Sequence, residues 1–263
     1  MTQELRHFKL GVLFSVFAAM LSFSSCSSLG SKPMKGSNAE RAALLVDAAQ
    51  GSLIEKDPIG AIQYLKSAQE LAPKLWTIYH MRALAFQMRK MPDEALVEMK
   101  KAVDLSPENP YAMNTYGKFL LDSGKLPEAE KYLQMAANDR TFRESYKANT
   151  SLGILNYRRG LLEAAEKNFS LAVNDDPANS CIAYYYQGHI LVKKGKLSEA
   201  TQTYERASNK LCAAFVDAHY ALGLVYEKSR KYDLARKKYL DISQNFPESS
   251  YSDQAIVKLK KIP

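Results

Sequence analysis

Side chains able to act as metal ligands or nucleophiles are few and scattered in this sequence. Beyond the N-terminal segment the histidines are His80, His189 and His219, and none has a Cys, Asp or Glu at the spacing of a metal site such as H-E-x-x-H. There is no G-x-S-x-G elbow, no glycine-rich phosphate loop and no paired-carboxylate signature. The sequence therefore points away from an enzyme, and it implies no cofactor and no metal. Three cysteines remain, Cys26, Cys181 and Cys212. What a thiol can do depends on its compartment and on the element that carries it.

Those elements come from a pattern that recurs along the chain. From Tyr146 to Asn179 the sequence reads as two helices: the first carries Leu152, Gly153 and Asn156 on one stripe, and the second carries Ala165, Phe169 and Ala172 on the facing stripe. Gly160 supplies a left-handed turn between them, and Pro177 ends the second. Small residues at Gly153 and Ala165 let the backbones approach, and Phe169 fills the space beside them. The same arrangement returns at a period of about 34 residues, in units over 42–75, 76–109, 110–143, 146–179, 181–214 and 216–249. The place of Gly153 is taken by Ala49, Ala83, Gly117, Gly188 and Gly223, and that of Phe169 by Leu65, Met99, Leu133, Tyr204 and Tyr239. This pattern resembles the tetratricopeptide repeat. The resemblance implies an all-α superhelical solenoid over 39–263, six helix-turn-helix repeats long, acting by protein binding.

Turn chemistry agrees with the pattern. Gly124, Gly160 and Gly195 fall at one place after a first helix, where a positive φ closes the turn. Ser198 and Asp233 stand where second helices begin, as N-cap types do, and Pro58 and Pro92 sit one residue earlier. After Pro247, residues 249–262 place Tyr251, Ala255, Ile256, Leu259 and Ile262 at helical spacing. This is expected to be a helix capping the last repeat, with Lys258, Lys260 and Lys261 at its C-terminal end. Cys181 starts one unit and Cys212 ends its second helix. The two helices of a hairpin run antiparallel, so these ends meet. In an oxidising compartment a disulfide there would add about 3–4 kcal/mol in the chain-entropy account. Two buried free thiols also suit these positions.

The chain of 263 residues is 46% apolar, enough to bury a core between stacked repeats. Its first residues belong to a different class. Arg6 and Lys9 precede an apolar run from Leu10 to Leu21, shorter than the roughly 20 residues that span a bilayer. The following Phe23-Ser24-Ser25-Cys26 resembles a bacterial lipobox. That resemblance implies a lipoprotein signal peptide over 1–25, cleavage before Cys26 and a lipid on its thiol. An ordinary secretory signal or an uncleaved anchor would share the apolar run. Ser27 follows the cysteine in place of the aspartate that retains lipoproteins at the inner membrane, which favours the periplasmic face of the outer membrane. Residues 26–38, rich in Ser and Gly, then read as a flexible tether.

A net charge of +8 raises the question of nucleic acid, but Lys and Arg alternate with Glu on helix faces and no basic-aromatic platform is present. A protein partner is the better expectation, with the membrane reached through the lipid. In this repeat class a concave groove is lined from the first helices. The matching positions here are His80, Leu84 and Met88; Tyr111, Asn114, Lys118 and Leu121; Ile154, Tyr157 and Arg158; then Tyr185, His189, Lys193, Tyr220 and Leu224. Aromatic, aliphatic and cationic groups so mixed are favoured at protein interfaces.

A narrower resemblance follows from three segments: Asn114-Thr115-Tyr116-Gly117-Lys118-Phe119-Leu120, the lengthened connection around Thr141 to Ser145, and Asn149 to Gly153. With the lipobox and six repeats, these are similar to the central repeats of the PilF/PilW pilotin family of type IV pilus lipoproteins. That resemblance implies a role in type IV pilus biogenesis, binding secretin subunits and promoting their localisation and secretin assembly at the outer membrane. Two other readings stay open. Phe246-Pro247-Glu248-Ser249-Ser250-Tyr251 resembles repeats of a BamD-like scaffold for outer-membrane protein insertion, and the groove would also suit a periplasmic regulator of peptidoglycan enzymes. A capped solenoid is most simply a monomer.

Overall fold

Each unit of the pattern folds as a helical hairpin. The computed structural model describes residues 36–263, so the expected signal peptide, the lipid site at Cys26 and most of the tether lie outside the described residues. Helix α1 (Asn38–Ile54) pairs with α2 (Pro58–Leu71), α3 (Trp76–Met88) with α4 (Pro92–Leu105), and α5 (Pro110–Asp122) with α6 (Leu126–Asn138). Then α7 (Ser145–Arg158) pairs with α8 (Leu162–Asp175), α9 (Cys181–Lys193) with α10 (Leu197–Ala207), and α11 (Val216–Lys228) with α12 (Tyr232–Asn245). Helix α13 (Ser250–Lys261) ends the array, and no strand occurs among the described residues.

Local chemistry fixes several helix ends. Ser37 accepts from the Glu40 amide while the Glu40 carboxylate accepts from the Ser37 amide at 2.6 Å, a reciprocal cap on α1. Pro58, Pro92 and Pro110 occupy first helical positions, where the missing N–H costs nothing. Gly124, Gly160 and Gly195 close their turns at φ 76°, 79° and 76°; in the other three hairpins Lys56, Lys90 and Arg230 accept the left-handed conformation instead. The expected caps Ser198 and Asp233 are not caps. Helices α10 and α12 begin at Leu197 and Tyr232, so both residues sit inside the first turn, and neither helix has a side-chain cap. Leu197 and Tyr232 already pack against the core, which places each helix start one residue earlier than the expected cap.

The hairpins close around the small-residue positions. A Cβ on Gly117 would meet Leu133 at 2.7 Å, on Gly188 would meet Tyr204 at 2.5 Å, and on Gly223 would meet Tyr239 at 2.6 Å; on Gly153 it would collide with the Phe169 ring. Phe169, Tyr204 and Tyr239 are fully buried. Between hairpins, each second helix packs on the next first helix. First helices also touch one another, α1 with α3, α5 with α7, α7 with α9, α9 with α11 and α11 with α13, whereas no two second helices come as close. The stack therefore curves toward its first helices, which line the inner face. Helix α13 takes the place of a next first helix: Ala255 and Ile262 join the core of α12, and Tyr251 stacks on Tyr220 at 4.8 Å. Ile256, expected on its packing stripe, is exposed, because the buried stripe runs through Tyr251, Ser252, Ala255, Leu259 and Ile262.

The fifth hairpin departs from the rest. Helix α10 stops at Ala207, Ser208 turns its hydroxyl back to the Tyr204 carbonyl at 2.9 Å, and a 3₁₀ turn follows over Lys210–Cys212 with Lys210 at φ 53°. Cys212 lies in that turn, not in the second helix. It is bonded to Cys181 across a Cα–Cα distance of 5.5 Å.

Three stability outcomes follow. Gly153→Ala lowers unfolding free energy by about 1–3 kcal/mol, because the Phe169 ring has no room to retreat; Gly51→Ala, with open space around its Cα, raises it by about 0.4–1 kcal/mol. Urea titrations followed by circular dichroism distinguish the two signs. Replacing Cys212 by Ala, which opens the loop from Cys181, costs about 3–4 kcal/mol in the same assay, and the loss is absent when wild type is compared under reducing conditions.

Candidate protein-binding groove

The inner face is built from side chains that project from α3, α5, α7, α9 and α11, and burial sorts the expected groove residues into three kinds. Met88, Tyr111, Lys118, Arg158, Lys193 and Leu224 are exposed on it. His80, Leu84, Asn114, Ile154, Tyr157, Tyr185, His189 and Tyr220 are half-buried along its floor. Leu121 does not belong to it: this side chain is buried in the core shared with Leu120 and Leu155. On α5 that position points into the seam between repeats, and only its carbonyl contributes, accepting from the Arg158 guanidinium at 2.8 Å.

Three regions succeed one another along the face. In the first, His80 stacks on Trp76 at 5.5 Å, and burial pushes its pKa down to about 4. It is neutral at pH 7, a flat aromatic surface with no charge. In the middle, a pocket of about 300 Å³ opens between α5, α7 and α9, bringing together Asn114, Lys118 and Ile154 with Tyr146, Lys147, Thr150, Ser151, Asn179, Ser180 and Ile182. In the third, Tyr185 meets His189 edge-on at 4.4 Å and Phe215 at 5.3 Å, Tyr157 meets Tyr186 at 5.2 Å, and the Lys193 ammonium sits 4.5 Å over the Tyr157 ring. Burial raises the Tyr185 phenol well above its ordinary range, and burial, then Lys193, lowers His189. Tyr220 extends the aromatic floor to α13, where the Tyr251 hydroxyl donates to Asp217 at 2.9 Å.

Sequence reasoning missed seven of the pocket residues. Lys147, Thr150 and Ile182 occupy the same register in their helices as Tyr111 and Asn114 in α5, so the repeat pattern could have found them. Tyr146 and Ser151, which flank Lys147 and Thr150 in α7, and Asn179 and Ser180, in the connection before α9, carry no such signal. His219 lies outside the groove, buried, with Nε2 2.9 Å from the Ala213 carbonyl; burial, then Lys238, lowers its pKa. A larger cavity of about 760 Å³ opens near the disulfide, beside Ala178, Tyr184, Arg206 and Leu211, away from the groove. Among the described residues no three His, Cys, Asp or Glu side chains converge as a metal site would require, and no helix is long and apolar enough to cross a membrane.

Stacked hairpins with small-residue seams and first helices on the inner face define a tetratricopeptide-repeat solenoid. Models of that repeat, described as "TPR repeat" and "Tetratricopeptide repeat", match residues 188–229 and 87–148. Two solved structures are similar over almost their whole length. PilW, described as a widely conserved type IV pilus biogenesis factor, superposes with a TM-score of 0.71 at 20% identity, covering 82% of this chain and 98% of its own. Pseudomonas aeruginosa PilF superposes at 0.69 and 20% identity, covering 84% and 99%. The Homo sapiens protein Tetratricopeptide repeat protein 13 is 25% identical over 177 residues, 63% of this chain, and the match spans only 19% of that protein's length.

The buried histidines give the fold a pH response of defined sign. His80 binds its proton near 4 when folded and near 6.5 when unfolded. Between these values the unfolded chain holds the extra proton, so stability falls as pH drops below about 6.5. From pH 7.5 to 5 the loss attributable to His80 is about 1–2 kcal/mol, and His189 and His219 add to it in the same direction. Melting curves across that range record it, and His80→Phe flattens the slope without removing it.

Proposed function

We propose that this chain is a lipid-anchored scaffold at the periplasmic face of the outer membrane that binds secretin subunits and assists their assembly into the type IV pilus pore. It acts by holding a partner polypeptide in the groove and catalyses no reaction. The observation that carries this reading is one of extent: the likeness to two pilus biogenesis factors covers 82% and 84% of this chain and 98% and 99% of theirs, whereas the match to Tetratricopeptide repeat protein 13 spans 19% of that protein. The apolar run and Cys26 before the first repeat support it, since a lipid there places the groove close to the membrane that a secretin must enter. The groove supports it as well, offering an aromatic floor, an aliphatic pocket and lysines, groups suited to a polypeptide partner.

The test is a strain lacking the chain, assayed for heat-stable secretin multimers and surface pili. Both are expected to fall to a small fraction of wild type and to return with the intact gene. Complementation by Cys26→Ser is expected to restore multimers at the wrong membrane or not at all. Normal multimers and pili in the deletion strain would sink the proposal.

A further inference from the structure

The middle pocket has a chemical signature sharper than the rest of the groove. Its lining contains two lysines, Lys118 and Lys147, and no carboxylate. Lys118 has only Asp122 nearby, at 3.9 Å, and Lys147 pairs at its own helix start with Glu144, outside the pocket. Ile154 and Ile182 give it an apolar wall, and Ile182 is exposed there. Most polar groups there are already spent on the fold: Thr150 donates to the Tyr146 carbonyl at 2.7 Å, Ser180 to the Ala172 carbonyl at 2.9 Å, and the Asn179 amide to Asp176 at 2.8 Å. Asn114 is the exception. Its side-chain oxygen is buried and has no hydrogen-bond partner.

A buried acceptor without a donor costs about 1–3 kcal/mol, and such groups are rarely left so. A donor on whatever fills the pocket would satisfy it. A helix cannot provide it along its length, because its backbone amides are bonded internally; an extended chain has free N–H groups beside each side chain. A lysine or arginine side chain could donate, but Lys118 and Lys147 repel it.

We infer that this pocket anchors an extended segment of the partner polypeptide in which an aliphatic side chain is flanked by carboxylates. The aliphatic group enters between Ile154 and Ile182, the neighbouring backbone N–H donates to Asn114, and the carboxylates meet Lys118 and Lys147. The assignment rests on the reading of the groove as a protein-binding site and adds to it the chemistry of the bound segment.

Three fluorescein-labelled dodecapeptides test it by fluorescence anisotropy: one alternating Glu and Leu, one Lys and Leu, one Glu and Ala. The Glu/Leu peptide is expected to bind at least tenfold more tightly than either of the others, and more weakly as salt rises. Asn114→Ala is expected to weaken it about tenfold, and Lys118→Glu at least as much, with melting curves of both variants close to wild type. Equal binding of the Lys/Leu peptide, or unchanged affinity in either variant, would overturn the inference. So would a Glu/Leu peptide that does not bind while the deletion strain still loses its secretin multimers; in that case the scaffold reading survives and the assigned chemistry does not.

Discussion

Everything in this fold depends on how closely the two helices of a hairpin can approach. Where Gly153 faces Phe169, or Gly188 faces Tyr204, the absence of a Cβ leaves room for an aromatic ring directly against the facing helix. That contact sets the interhelical distance, and the distance sets which residues of the first helix remain free to face inward. The dispersion gained by a fully enclosed ring is spread over many small contacts, so the arrangement tolerates a change of ring or aliphatic group, from Leu65 to Tyr239, while the facing position stays small. Hairpin after hairpin, the same close contact points one stripe of each first helix at the inner face.

This explains why the array was largely legible in the sequence. Small and large residues at a fixed spacing report a packing geometry directly, and Gly124, Gly160 and Gly195 report the turns. Three turns use Lys56, Lys90 and Arg230 at positive φ, and there composition is silent; the repeat period places those turns, not the residue type. The second-helix starts were misjudged at Ser198 and Asp233 because a capping residue type says nothing when packing of Leu197 and Tyr232 decides where the helix begins. The groove was legible as a register and not as a shape. Asn114, Lys118 and Ile154 come together in the pocket, but Leu121 turns into the core, and Asn179 and Ser180, outside the repeating register, join from the connection before α9.

The inner face is not uniform. Toward α3 it is flat and uncharged, since His80 is held neutral by burial. In the middle it is a lysine-edged pocket, and toward α13 it is a floor of tyrosines, Tyr157, Tyr185 and Tyr220, ending at Tyr251, whose hydroxyl donates to Asp217. An extended chain crossing it would pass from stacking surface to charged pocket to aromatic floor, so its own sequence has to change character along its length to fit. Direction of binding is then selected by the order of these regions as well as by any single contact.

The bond between Cys181 and Cys212 has a mechanical meaning for a solenoid of this kind. Repeats that contact only their neighbours can be peeled away one at a time when force is applied at an end. A covalent ring around the fifth hairpin removes that hairpin's contour from the length that can be drawn out, so a pull delivered through the N-terminal side can unravel the earlier repeats yet leaves the segment that carries Tyr185, His189 and Lys193 tied at its ends. A protein strung between a membrane and a large assembly would keep part of its grip under load.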